Sequence, residues 1–111
     1  MLHFYAIDDQ QTPPEDLSTL RFVGFMSRRE HHDLTPLWET VAGTHLHLQD
    51  EMDTRLKLSD LQDLQGGLLK VYEKKPHLWE HSSFKHFEEV LRVALAEHKG
   101  LLVLPHEKKP G

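Results

Sequence analysis

The sequence predicts a single α+β domain, and three features carry that reading. Apolar runs rich in aromatic and β-branched residues, suited to strands, stand near both ends: LHFYAI at 2–7 and LLVL at 101–104. Between them lie segments whose apolar residues recur at helical spacing. At 111 residues the chain is long enough to bury one core without disulfides, and it contains no cysteine. The expected order is β-β-α-(β)-α-α-β: a small mixed sheet with strands from both termini, packed by about three helices. Residues 1–104 make the domain, and 105–111 a flexible tail.

Each element has its own signal. The first strand gives way to the turn chemistry of DDQQTPP. A second strand follows in LRFVGFM at 20–26, apolar on both faces, which predicts a place inside the sheet. Next comes LTPLWETVAG, where Thr35 suits an N-cap, Pro36 the first helical turn and Gly43 the position after the helix. A start nearer Arg28, with a kink at Pro36, fits the same residues. THLHLQ at 44–49 alternates, which reads as a half-buried strand with Leu46 and Leu48 inward and His45 and His47 outward, or as more helix.

Ser59 and Gln62 form an S-x-x-Q capping box for a helix whose buried stripe is Leu61, Leu64, Leu68, Val71 and Tyr72. Gly66-Gly67 inside it marks close packing or a kink, since the period runs through the pair. A last helix is capped by Ser82 or Ser83. It buries Phe84, Phe87, Leu91, Ala94 and Leu95 and stops at Gly100. The continuously apolar 101–104 then reads as a central strand.

Charge narrows the function classes. Eighteen acidic against thirteen basic residues give a formal charge of −5. The basic pairs Arg28-Arg29, Lys74-Lys75 and Lys108-Lys109 are short and scattered, which argues against nucleic-acid binding. An acidic surface suits a basic protein partner, because complementary potentials speed and select the encounter. No apolar run is long enough to span a bilayer, and MLHFYAIDDQ lacks the layout of an export signal, so the expected location is cytoplasmic.

Histidine is the compositional oddity, at ten residues. His45, His47 and Glu51 reproduce the H-x-H-x-x-x-E fragment of cupin metal sites. The chain has too few strands for that barrel, and its glycine stands too close to His45. A metal-binding protein or small metallohydrolase using His45, His47 and Glu51, with His31, His32 or Asp33 completing the shell, is the alternative reading. Solvated histidines are the plainer one. His77 and His81 offer a second pair at i, i+4.

No G-x-S-x-G elbow, phosphate-binding glycine loop or H-E-x-x-H helix is present, so no catalytic residue and no cofactor is assigned. Asp8-Asp9 stands where α/β enzymes often place carboxylates, but reads better as a solvated turn.

The densest acidic region is Asp50, Glu51 and Asp53, with Asp60 and Asp63 close behind. These five are the candidate partner-binding residues. Trp79, in PHLWEH, is either an added interface anchor or a plug at the edge of the core.

The series F-Y-A-I, R-F-V-G-F, D-T-R-L before a capped helix, and A-E-H-K-G-L-L-V-L resembles small cytoplasmic immunity proteins of bacterial toxin systems, over about residues 2–104. The resemblance implies a non-enzymatic inhibitor that binds a cognate toxin domain, often through an acidic surface that suits a basic partner. A structural subunit or homodimer is a third possibility.

Overall fold

The computed structural model describes residues 1–105. Strand β1 (Leu2–Ile7) pairs antiparallel with β2 (Arg21–Met26) on one side and β4 (Gly100–Pro105) on the other, and β3 (Thr54–Leu56) pairs with the far side of β4. The order across the sheet is β2-β1-β4-β3. The α+β class and the meeting of the two terminal strands are as expected. The sheet, however, is antiparallel throughout rather than mixed. Leu2 stands opposite Pro105, so Pro105 belongs to the sheet, while the rest of the expected tail lies outside the described residues.

Strand alternation sorts two apolar layers. Leu2, Phe4, Leu101 and Val103 point to the helices and join the main core. Ile7 and Leu102 point the other way, where Leu17 and Leu20 of the segment entering β2 cover them. Central β4 is thus apolar on both faces, as read. β2 is not: it is an edge strand, with Phe22 and Phe25 exposed. Their rings pack edge-on against Tyr5 and His86 respectively, which accounts for the apolar residues without burial. The register slips between Phe4 and Tyr5, leaving a bulge on β2 that bends this edge.

Among the described residues four α-helices, rather than about three, lie on the main-core side. The helix expected around 28–43 is two: α1 (Arg28–Asp33) and α2 (Thr35–Thr40), joined at Leu34. Pro36, in the first turn of α2, has no N–H for a carbonyl of α1, so one continuous helix cannot form. α1 starts with a capping box: Ser27 Oγ accepts from Glu30 N at 3.1 Å, and Ser27 N donates to Glu30 Oε1 at 2.9 Å.

The stretch 44–49 is a run of turns rather than a strand, and the third strand falls later, at β3. Thr44 Oγ1 takes up the Val41 carbonyl, and His47 N donates back to Thr44 O. Leu46 and Leu48 are nevertheless buried, as their apolar character requires.

Helix α3 (Leu58–Lys74) begins two residues earlier than expected, with Lys57 rather than Ser59 at the N-cap. Its cap is not Ser59 with Gln62: the Asp60 carboxylate accepts from Lys57 N at 2.8 Å. Gly67 lets α2 approach, since a Cβ there would stand 3.1 Å from Leu37 Cδ1 and 3.5 Å from Val41 Cγ1. Helix α4 (Ser82–Ala96) is capped by His81, whose Nδ1 accepts from Ser83 N at 3.1 Å, instead of by a serine. After it, His98 turns the chain at φ 57°. Gly100 serves the sheet rather than the helix end: a Cβ there would collide with the Leu56 carbonyl.

Candidate functional site

The acidic stretch follows directly from these local turns. Residues 41–53 wrap from α2 to β3, carrying Leu46 and Leu48 into the core and the polar side chains outward. Asp50 and Glu51 both reach Arg28 at the start of α1: Arg28 Nε lies 3.3 Å from Asp50 Oδ2, and Arg28 Nη2 lies 3.3 Å from Glu51 Oε2. Asp50 Oδ1 is buried and finds no hydrogen-bond partner among the described residues.

Asp60 is committed to structure, capping α3 through Oδ2 while Oδ1 meets His45 Nε2 at 2.9 Å. Asp53 and Asp63 are exposed, and no ion pair or hydrogen bond to either is found among the described residues. Trp79 is 56% exposed, with Lys85 Nζ 5.9 Å from its ring centre, so it does not plug the core. It follows the C-terminal end of α3, whereas Asp60 and Asp63 stand in the first turns. A helix of 17 residues spans about 25 Å, so Trp79 and these acids are not one patch.

The metal reading loses its geometry. His45 turns to Asp60, Glu51 to Arg28, and His47 stacks on Trp38 at 5.5 Å between ring centres. Among the described residues no three His, Asp or Glu side chains come together as a metal site. H-x-H chelation assumed a strand, which puts alternate residues on one side; in a series of turns that relation fails.

Two polar pairs tie α1 to α4, and sequence reasoning did not find them. Glu30 Oε2 lies 2.6 Å from His86 Nδ1, and Ser83 Oγ donates to Asp33 Oδ2 at 2.8 Å. Partial burial acts to raise the Glu30 pKa, but the Ser27 backbone N–H and His86 outweigh it and hold the carboxyl below the ordinary range. S-x-x-E at 27–30 announced the cap. Nothing local announced a partner 56 residues away.

On the other side of α1, His31 Nε2 donates to the Leu48 carbonyl at 2.7 Å, because a carbonyl can only accept. The His31 ring stacks on Trp38 at 5.1 Å, and the Trp38 indole N–H returns to the His31 carbonyl at 2.8 Å. Trp38 is 4% exposed, so this cluster fastens the 41–53 segment onto α1 and α2.

The Asp8-Asp9 pair is likewise structural. Asp9 accepts from Leu58 N at 3.1 Å, at the start of α3, and Arg55 Nη2 donates to the carbonyls of Asp8 and Gln11 at 2.7 and 2.9 Å. Tyr72 is held protonated: burial first, then the Glu88 carboxylate accepting from its hydroxyl at 3.1 Å, push its pKa up.

The molecule is thus an α+β protein with its helices on one face of an antiparallel sheet. No helix of the described residues is long and apolar enough to cross a membrane. No family model, curated protein or solved structure matches the chain.

Proposed function

We propose that this chain is a non-enzymatic protein-binding module of the immunity-protein kind, acting in the cytoplasm on a toxin domain with a basic surface. The observation that carries the reading is the state of the acids. On a chain of net charge −5, Asp53 and Asp63 are exposed and have no internal partner among the described residues, and Glu51 pairs with an exposed arginine. Acids whose charge is not spent inside the fold are what a basic partner meets first. Exposed pairs such as Arg28–Glu51 contribute about 0–1 kcal/mol, so a partner's cation can take Glu51 from Arg28 at small cost while Arg28 keeps Asp50. Trp79 supplies a second, separate contact.

The test uses the product of the gene adjacent to the one encoding this chain. The two products are expected to copurify, and expression of this chain should relieve any growth arrest the neighbour causes. Glu51→Lys with Asp53→Lys should lower affinity about tenfold or more, mainly through the association rate, and flatten its salt dependence. No binding to the neighbour would remove the immunity reading. Binding with unchanged affinity and salt dependence would move the site off this surface.

A further inference from the structure

Helix α3 presents an outward face that the monomer does not explain. Residues three and four apart share a helix face, so Gln62, Asp63, Gly66, Leu69 and Lys70 stand together, opposite the buried Leu61, Leu64, Leu68 and Val71. Gly66 lies at the middle of that outer face. Unlike Gly67 it meets no other part of the fold: among the described residues, a Cβ built on Gly66 finds no atom within 4 Å beyond its own stretch of helix. A mid-helix glycine is the poorest choice after proline, and no contact within the described residues requires this one. Beside it Leu69 is 64% exposed, over a groove of about 380 Å³ that it lines with Gln65, Leu68, Glu88 and Arg92.

We infer that this face docks a second copy of the chain, α3 crossing its counterpart antiparallel about a two-fold axis at Gly66. The charges argue for this occupant. Asp63 comes three residues before Gly66 and Lys70 four after. An antiparallel partner brings its Lys70 within one residue, about 1.5 Å of rise, of the level of Asp63, on the same side of the crossing. The two-fold repeats the pair, so the interface carries two Asp63–Lys70 bridges. Within one chain these residues are about 10 Å apart along the helix and do not meet.

On the other side of the crossing Leu69 lies over the partner's Gln62, and Ser59 meets the partner's Glu73 at the ends. No like charges face each other. Absence of a side chain at Gly66 lets the backbones approach, as small residues do at close helix crossings.

The test is the mass in solution by sedimentation equilibrium at about 10–200 µM chain. A dimer of twice 13.0 kDa is expected. Lys70→Asp or Asp63→Lys alone should weaken it about tenfold or more, and the two together should restore it, because the swap rebuilds both bridges. Gly66→Ala should give a monomer that melts at a higher temperature, since its methyl blocks the crossing while favouring the helix. A wild-type monomer throughout this range would overturn the inference. So would a dimer unmoved by either reversal, or one that persists in Gly66→Ala. The readout involves no toxin, so its failure leaves the proposed function standing, and the converse holds too.

Discussion

Replacing Gly100 by alanine should cost far more than one methyl group suggests. A Cβ at Gly100 would overlap the Leu56 carbonyl oxygen, stand 3.1 Å from the Leu56 carbonyl carbon and 2.9 Å from Asp9 Oδ1. The first two atoms are backbone of β3, so no rotamer change relieves them. The strand has to retreat by about 1 Å, enough to take a normal hydrogen bond beyond its useful range. β3 is only three residues long, and its register on β4 rests on Leu56 facing Leu101.

Asp9 must swing away as well, giving up the Leu58 N–H at the start of α3. Two or three hydrogen bonds at about 1 kcal/mol each, one of them to a carboxylate, are then lost, and Leu56 is displaced from the core. The entropy gained by removing a glycine from the unfolded chain returns only about 0.4–1 kcal/mol. The net loss is about 2–4 kcal/mol, or a melting point lower by roughly 9–17 °C in a domain of this size. Urea unfolding followed by far-UV circular dichroism reads it directly. A loss below about 1 kcal/mol would refute the account of β3 as a strand pinned against a residue without a side chain.

Two further outcomes follow from the contacts of α1. The Glu30 carboxyl is held below its unfolded pKa, so its contribution is complete above the ordinary carboxylate range and disappears as the pH falls through the lowered folded value. Glu30→Gln should therefore cost about 1–2 kcal/mol at neutral pH and flatten the acid limb of the urea stability profile; an unchanged limb would deny it this role. His31→Ala leaves the buried Leu48 carbonyl without its donor and uncovers Trp38, at about 1–3 kcal/mol. Amide exchange in residues 44–53 should quicken while the middle of α4 stays protected. Equal acceleration in both would mean global rather than local loosening.

How far the sequence could be read depended on whether the deciding contact was local. α3 and α4 were legible because their stripes repeat at the helical period, and Leu61, Leu64, Phe84 and Phe87 are all buried. β4 was legible because an apolar run bounded by glycine and proline has few other places to go. β2 departs from its pattern, because apolar residues on both faces of a strand do not require burial: Phe22 and Phe25 pack edge-on at an open edge. THLHLQ misled for the opposite reason. Its alternation was real, but six residues fix no period, and side chain to carbonyl bonds such as Thr44 to Val41 turned it into loops.

At the candidate surface the acids could be named but not their commitments. Whether a carboxylate is free depends on Arg28, His45 or Lys57, and only the folded chain brings those within reach of Asp50, Glu51 and Asp60. The outer face of α3 could be read only in part. Gly66 and Gly67 look alike in the sequence, and their difference appears once α2 is seen against one and nothing against the other.

The strand order also governs when the protein can fold. β4 is the last of the described elements to leave the ribosome, yet it sits between β1 and β3 and gives each of them a partner. Until it emerges, β1 and β2 can form a two-stranded ribbon, but β3 has no neighbour and the core lacks Leu101 and Val103. A ribbon of two strands is marginal by itself. The nascent chain is therefore expected to hold its helices loosely and close the sheet in one late step, so a nascent chain paused before Gly100 should be cut by protease at sites that the finished domain protects.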